Sequence, residues 1–304
     1  MPLSYTQNME DYHLALAFDG QESGTYVDVG AGHPVADNVS LWFYERGWHG
    51  LVIEPLADLA ALYPRVRPRD RVYEGLVGRT HGLADFYEVD RLHGFSTTVQ
   101  AHADNALTFG AGYRVAQRPI TTLARLCAEH GLSRIDFLKV DVEGGEADVL
   151  AGNDWNRFRP KIVVAEAVSP GKGEPCWEAF EPTLLSNGYR FRLFDTLNRF
   201  YVAEEHPELF DRLPSQRAPW ESVTHMYEIG RAPESANHPD HLLARRLARG
   251  LWAMLPHIDP ALISEFLRRG GSGEAADPHG EEFRLALGRI ACGYDGGQIV
   301  DEES

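Results

Sequence analysis

The chain has 304 residues, of which 43% are hydrophobic, so it can bury a sizeable core and is expected to form one large domain or one domain with an appendage. Its net charge of −16, from 45 acidic and 29 basic side chains, argues against nucleic acid as the main partner. It lacks an apolar run of about 20 residues and a secretion-signal pattern, which predicts no membrane span and a cytoplasmic location.

Strand and helix patterns alternate through most of the chain. Residues 1–24 are a lead-in to the first main strand. A polar segment over 91–118 is expected to be a long irregular loop. In chain order, the patterns predict a helix over 8–18, a strand over 25–29, a helix over 37–46, a strand over 50–53, a helix over 56–63, strands over 72–77 and 83–89, a helix over 123–130, a strand over 135–140, a helix carrying Val149 and Leu150, a strand over 161–167, a helix over 177–186, and a hairpin of strands over 189–194 and 199–202.

This order predicts an α/β fold. Strands that alternate with helices form a parallel sheet covered on both faces, and the closing hairpin adds a last strand in the antiparallel direction. The sequence therefore predicts a Rossmann-like, mostly parallel seven-stranded domain over 1–230. Residues 231–304 are predicted to be a helical appendage with a glycine-rich linker at 270–273, more suited to packing or to forming a homodimer than to catalysis.

A glycine turn follows the first main strand. Asp28 leads into Gly30 and Gly32, and Glu54 comes at the end of the next strand. Glycines allow a sharp turn and a close approach to a ligand, and a carboxylate at the second strand can accept hydrogen bonds from a ribose. Any tight turn could also explain the glycines. A nicotinamide-dependent oxidoreductase would need a third glycine where this chain has Val35, which counts against that function.

Four segments together resemble the FkbM family of S-adenosylmethionine-dependent methyltransferases, which have the class I methyltransferase fold. The segments are Ser-Tyr-Thr-Gln-Asn-Met-Glu-Asp at 4–11, the glycine turn at 28–34, Arg-Gly-Trp with Ile-Glu-Pro at 46–55, and Lys-Val-Asp-Val-Glu-Gly-Gly-Glu at 139–146. The resemblance covers about residues 4 to 210. It implies S-adenosylmethionine as cofactor, and as acceptor a hydroxyl of a sugar, a glycoside, or a glycosylated or polyketide natural product. Gly32 departs from the asparagine usual there.

The predicted cofactor site combines these segments. Glu54 is expected to bind the ribose, the glycine turn the methionine end, and the end of the third strand the adenine, while Gln7 either closes over the methionine end or belongs to a plain surface helix. The predicted cofactor-binding residues are Gln7, Asp28, Gly30, Ala31, Gly32, Glu54, Pro55, Gly75, Leu76, Ser96 and Asp141.

Charged residues at the ends of the fourth and fifth main strands are the predicted catalytic groups. Asp141, Glu143 and Glu166 should meet in the crevice at the carboxyl ends of the strands, where one could be a general base or two could hold a divalent metal ion such as Mg²⁺. Alternatively, Lys139 pairs with these carboxylates in a buried ion network. His33 could be a base beside the glycine turn or a hydrogen-bonded structural histidine.

A second hypothesis comes from another class of protein. The same fold could serve as a non-catalytic nucleoside-binding or scaffold protein whose appendage mediates assembly. Five intact carboxylates favour the enzyme: Asp28, Glu54, Asp141, Glu143 and Glu166. The only lysines are Lys139, Lys161 and Lys172, and this bias towards arginine suggests a bacterial source with a GC-rich genome.

Overall fold

The structure is a computed structural model that describes residues 3–90, 93–169, 173–270, 277 and 279–295. The chain divides into two compact units, Met1–Glu228 and Ile229–Ser304. The first contains all the strands. The second consists of helices, and the glycine-rich linker predicted at 270–273 lies outside the described residues from position 271 onwards.

The first unit is built on a seven-stranded sheet with the order β10-β11-β9-β8-β2-β3-β4. Only β11 runs antiparallel to its two neighbours, which confirms the predicted mostly parallel sheet with an antiparallel last strand. The strands are β1 (Leu3–Ser4), β2 (Thr25–Val29), β3 (His49–Ile53), β4 (Arg71–Tyr73), β5 (Leu76–Val77), β6 (Gly82–Val89), β7 (Tyr113–Thr121), β8 (Phe137–Val140), β9 (Ile162–Glu166), β10 (Tyr189–Phe194), β11 (Asn198–Ala203) and β12 (Thr224–His225).

The helices are mostly short. None of those in the described part of the chain has the length and apolar character that crossing a membrane requires. They are α1 (Glu10–Ala17), α2 (Leu41–Glu45), α3 (Ala57–Ala60), α4 (Tyr63–Val66), α5 (Gln100–Leu107), α6 (Leu123–Glu129), α7 (Glu146–Ala151), α8 (Glu181–Ser186), α9 (Pro207–Arg212), α10 (Met226–Ile229), α11 (His241–Met254), α12 (Pro260–Gly270) and α13 (Glu281–Asp295).

Each face of the main sheet carries its own apolar core. Successive residues of a strand point to opposite faces, so Val27 and Leu138 pack with α6, α7 and α8 on one side. Tyr26 and Phe137, one position earlier in the same strands, pack with α1 and α2 on the other side. Helices therefore cover both faces, as the alternating pattern predicts.

Two sequence predictions for 72–118 are wrong. The strand predicted over 72–77 is split, because β4 ends the main sheet while β5 joins a second sheet of order β5-β7-β6. The segment predicted to be irregular contains α5 and the nine-residue β7. β7 pairs antiparallel with β6 along its length and is held partly by an ion pair between Arg114 and Glu88 (2.6 Å), so a polar sequence forms a regular strand.

The helix predicted over 37–46 is also shorter than expected. Asp37 has a left-handed backbone (φ 50°), and α2 begins only at Leu41. The side chains of Asn38 and Ser40 take part instead in a buried polar network, described below. A further feature that the sequence does not indicate is the pairing of β1 with β12, which brings the first described residues beside the end of the first unit.

Candidate active site

A cavity of ≈ 850 Å³ lies at the carboxyl ends of β2, β3, β8 and β9. This is the edge at which open parallel sheets bind their ligands. All the predicted site residues except Asp28 line it: Gln7, Gly30, Ala31, Gly32, His33, Glu54, Pro55, Gly75, Leu76, Ser96, Lys139, Asp141, Glu143 and Glu166.

The glycine turn after β2 is closely packed against the end of β8. Gly30 and Gly32 have left-handed backbones, with φ values of 73° and 62°. A Cβ atom on Gly30 would lie 1.7 Å from the carbonyl oxygen of Asp141, whose own N–H donates to Val29 O (3.0 Å). Position 30 therefore requires a glycine, because its backbone is left-handed and no space is left for a side chain.

Glu54 is held in place by two backbone amides. Its Oε2 accepts from Gly32 N and its Oε1 from Leu56 N, each at 2.8 Å. Burial raises the pKa of Glu54 to about 7, although the two amides and Lys139 oppose this shift. A carboxylate has about four lone pairs, so Glu54 can still accept hydrogen bonds from a ribose diol in the cavity.

Asp28 was predicted to contact the cofactor, but it lies behind the cavity wall and does not line the cavity. It is 1% exposed, and its Oδ2 accepts from Ser40 Oγ (2.6 Å). Its Oδ1 lies 3.9 Å from Lys139 Nζ and has no hydrogen-bond partner among the described residues. Asp28 therefore supports the floor of the site from within the fold.

The turn is also supported by Arg67, which the sequence does not single out. This arginine is fully buried and forms an ion pair with Asp70 at 2.7 Å. It donates to Asn38 Oδ1 (2.7 Å) and Ser40 Oγ (2.9 Å). Asn38 in turn donates to the carbonyl of Ala31 at 2.9 Å. The chain thus fixes the glycine turn through a buried polar network.

Three carboxylates and one lysine form the opposite part of the site. Carboxylate oxygens of Asp141, Glu143 and Glu166 all lie within 4.8 Å of one another. Lys139 Nζ lies 3.1 Å from Asp141 Oδ2 and donates to Gly30 O (3.0 Å). The ion network that the sequence offered as an alternative is therefore present for Lys139 and Asp141, within the same cluster. We call Asp141, Glu143 and Glu166 the carboxylate cluster.

Burial and mutual repulsion perturb the carboxylate cluster. Burial, followed by the charges of Asp141 and Glu143, raises the pKa of Glu166 to about 11. Burial and the charge of Asp141 likewise raise the pKa of Glu143 to about 9. Burial alone would lower the pKa of Lys139, but Asp141 and Asp28 beside it raise that pKa above its ordinary value. One ammonium group does not compensate three carboxylates in this environment.

The turn that carries Glu143 is held by side chains on both sides. Glu143 has a left-handed backbone (φ 58°), and its carbonyl accepts from Thr97 Oγ1 and His102 Nδ1, both at 2.8 Å. Glu146 Oε1 accepts from the amides of Val142 (3.0 Å) and Gly144 (3.1 Å). The contacts of Thr97 and His102 come from the segment over 91–118, whose structure the sequence did not predict.

The hydrogen bonds of His33 favour the structural role over that of a general base. Its Nδ1 accepts from the amides of Val35 and Ala36, both at 3.1 Å, so the proton of the neutral ring is on Nε2. Partial burial also lowers the pKa of His33. With no free lone pair to accept a proton, this residue matches the structural histidine that the sequence left open.

The remaining wall comes from the second sheet and the loops beside it. Ser96 lies here, and its Oγ accepts from Val89 N at 3.0 Å. Apolar residues complete the lining, and sequence reasoning did not assign them to the site: Phe86 in β6, Phe95 in the segment after it, Val168 after β9, and Leu197 between β10 and β11.

Comparison with known proteins identifies a family for this chain. The family model described as "Methyltransferase FkbM domain" matches residues 28–191, which is more than half of the chain. No curated protein sequence matches significantly. Among solved structures, a TehB-like SAM-dependent methyltransferase from Corynebacterium glutamicum has 10% identity and a TM-score of 0.37, and the match covers 65% of this chain and 88% of that one. A methyltransferase from Geobacter sulfurreducens has 15% identity and a TM-score of 0.36, with 67% and 81% covered. From the family match, the chain belongs to the FkbM family of S-adenosylmethionine-dependent methyltransferases.

Proposed function

We propose that the protein transfers the methyl group of S-adenosylmethionine to a hydroxyl of a sugar, a glycoside, or a glycosylated or polyketide natural product. One observation carries this proposal. A single cavity joins the wall formed by the glycine turn and Glu54 to the carboxylate cluster. The cofactor and the acceptor can therefore meet in one cavity. A location in the cytoplasm remains a prediction.

The cofactor half of the proposal rests on Glu54 and the glycine turn. Glu54 would accept hydrogen bonds from the ribose diol while its present bonds to Gly32 and Leu56 keep it oriented. Gly30 and Gly32 leave room for the methionine end, and Gln7 would cover it from the lead-in. Gly75 and Leu76, between the two sheets, would border the adenine.

Methyl transfer is an in-line displacement that needs positioning first and proton removal second. An electron pair of the acceptor hydroxyl oxygen forms the O–CH₃ bond. The S–CH₃ bond breaks and its electron pair stays on sulfur, which becomes a neutral thioether. The hydroxyl proton must leave, and one of the carboxylates at the ends of β8 and β9, which line the cavity, would accept it.

The acceptor half rests on the family resemblance and on the size and lining of the cavity. A volume of ≈ 850 Å³ is near the upper end of the range for small-molecule sites, which leaves space for an acceptor beside the cofactor. Phe86 and Phe95 offer apolar and aromatic surface for a sugar ring or a polyketide.

Calorimetry and a methyl-transfer assay test the two halves separately. We expect S-adenosylmethionine to bind with one site per chain. With a labelled methyl group, product should form on hydroxylated glycosides or polyketides and not on amine or thiol analogues of the same compounds. No binding at millimolar cofactor would refute the methyltransferase and leave the scaffold hypothesis. Transfer to the amine analogues alone would refute O-methylation.

A further inference from the structure

We propose that the carboxylate cluster, Asp141, Glu143 and Glu166, binds a hard divalent cation such as Mg²⁺ or Ca²⁺. The part of this proposal that concerns the acceptor rests on the proposed function, whereas cation binding itself does not. Carboxylate oxygens are the ligands that both ions prefer.

The positions of the oxygens fit one ion. Opposite ligands of a bound cation lie about 4.2 Å apart for Mg²⁺ and about 4.8 Å apart for Ca²⁺, from their usual metal–oxygen distances. Oxygens of all three carboxylates already lie within 4.8 Å of one another. Small movements of the side chains would therefore bring all three onto a single ion.

An independent observation is the unpaired state of Glu166. This residue is 7% exposed, lines the cavity, and its Oε2 has no hydrogen-bond partner among the described residues. A buried carboxylate oxygen without a partner is costly unless a ligand completes its environment. A cation in the cluster would supply that partner.

The charge balance points to a divalent ion. When the three carboxylates are ionised, Lys139 supplies the one ammonium group that contacts the cluster within the described part of the chain, and two negative charges are left uncompensated. Lys139 is already bound to Asp141 and to the carbonyl of Gly30, so it does not reach across to satisfy Glu166 in this arrangement. An ion with two positive charges neutralises the group.

The backbone fixes the position of one proposed ligand, Glu143, before a cation binds. The left-handed turn at Glu143 is fixed by Thr97 and His102, which both donate to its carbonyl. Gly144 is needed for this contact, because a Cβ atom there would lie 2.2 Å from the His102 ring. The turn therefore presents Glu143 to the other two carboxylates without the cost of ordering a loop on binding.

The cluster also leaves room for a substrate. An octahedral ion has six ligand positions, and three monodentate carboxylates would leave about three for water and an acceptor oxygen. A hydroxyl bound to a cation has a lower pKa than a free one, so its proton can pass to water as the O–CH₃ bond forms. The cation would thus orient the acceptor against the cofactor.

Titration of the EDTA-treated full-length chain with Mn²⁺, followed by electron paramagnetic resonance without cofactor or acceptor, tests cation binding. We expect one Mn²⁺ per chain, and competition by Mg²⁺ and by Ca²⁺ will decide which ion binds more tightly. Glu166→Gln and Glu143→Gln should each weaken Mn²⁺ binding at least tenfold. Asp148→Asn is the matched control, since Asp148 also lines the cavity but pairs with Arg79 (2.8 Å) outside the cluster, and it should bind as the wild type does.

The outcomes separate this proposal from the proposed function. Failure to bind Mn²⁺ at several millimolar, or unchanged binding in both glutamine variants, would overturn the cation site. Unfolding curves of the variants establish that each is folded. Cofactor binding measured in EDTA reports on the methyltransferase alone. Full methyl transfer in EDTA would refute the role of the cation in orienting the acceptor and would support the proposed function, while the Mn²⁺ titration decides whether the cluster binds a cation.

Discussion

At the scale of single residues, Gly30 tolerates substitution least. Its Cβ position is filled by the Asp141 carbonyl, and its backbone is left-handed. Gly47 is a matched control, because it also has a left-handed backbone (φ 92°) but nothing lies within 4 Å of its Cβ position.

We expect Gly47→Ala to lower the free energy of unfolding by about 1 to 2 kcal/mol, the cost of placing a side chain in a left-handed conformation. Gly30→Ala should cost more than this and should also abolish cofactor binding, since the overlap can be relieved only by moving the turn away from β8. Urea unfolding and calorimetry measure both effects. Equal stability losses in the two variants would show that the contact between position 30 and the Asp141 carbonyl adds nothing to the cost of the substitution.

Glu54 should make cofactor affinity depend on pH. Its pKa of about 7 means that the carboxylate of the free protein is protonated as the pH falls from 8 to 6, and a neutral carboxyl accepts weaker hydrogen bonds from the ribose than an ionised one. Affinity should therefore decrease as the pH falls through 7.

Glu54→Gln provides the comparison. This variant cannot ionise, so we expect cofactor binding about 10- to 100-fold weaker at pH 8, from the loss of about 1.5 to 3 kcal/mol in charge-assisted hydrogen bonding. It should also lose the part of the pH dependence centred near 7. Calorimetric titrations at several pH values measure both. The same pH profile in wild type and variant would exclude Glu54 as the ribose ligand.

At the scale of elements, Arg67 connects the end of α4 with β2 and the glycine turn. Arg67→Met would leave Asp70 buried without its ion pair and remove the donors to Asn38 and Ser40. We expect the free energy of unfolding to fall by about 3 to 5 kcal/mol. Arg65→Met, in the exposed part of the same helix, should change it by less than about 0.5 kcal/mol. A small effect of Arg67→Met in chemical denaturation would mean that the network is dispensable.

The sequence predicts some of the strands and not others. The main strands were predictable because runs such as 162–165 in β9 are buried on both faces and are wholly apolar. The division of β4 from β5 was not, because β5 is defined by its pairing with Ile120 and Thr121, far away in the chain. β7 escaped detection because cross-strand charge pairs, and not an apolar pattern, accompany its pairing.

The same distinction applies to the site. Glycines and carboxylates that follow strands were predictable, because the ends of parallel strands meet at one edge of the sheet. Arg67, Thr97 and the structural role of His102 were not, because each acts through contacts between segments that meet only in the folded chain. His33 was assigned as a possible base because it follows the glycine turn in the sequence. Its hydrogen bonds to Val35 N and Ala36 N are visible only in the folded chain.

At the scale of the whole molecule, the second unit exposes an apolar stripe. Leu243, Leu247 and Leu251 of α11 follow one another at helical spacing and are 57%, 64% and 48% exposed. We expect this stripe to mediate a homodimer, as the sequence suggests for the appendage.

Leu243→Glu with Leu247→Glu should therefore convert a dimer of the full chain into monomers, because charges would have to be buried at the contact. Leu83→Glu, at a leucine of β6 that is 70% exposed, is the control and should leave the mass unchanged. Light scattering of each protein gives the mass. A wild-type monomer, or a double variant that remains dimeric, would contradict the role of the stripe.

The lead-in has a consequence for the order of folding. β1 pairs with β12, Asn8 donates to the carbonyl of Asp195 (2.9 Å), and His13 accepts from Ala218 N (3.0 Å). These partners lie about two hundred residues apart in the chain, so the contacts have a high loop-closure cost and should form late in folding. Gln7 lies within this segment, so the cavity is complete only when the lead-in has docked.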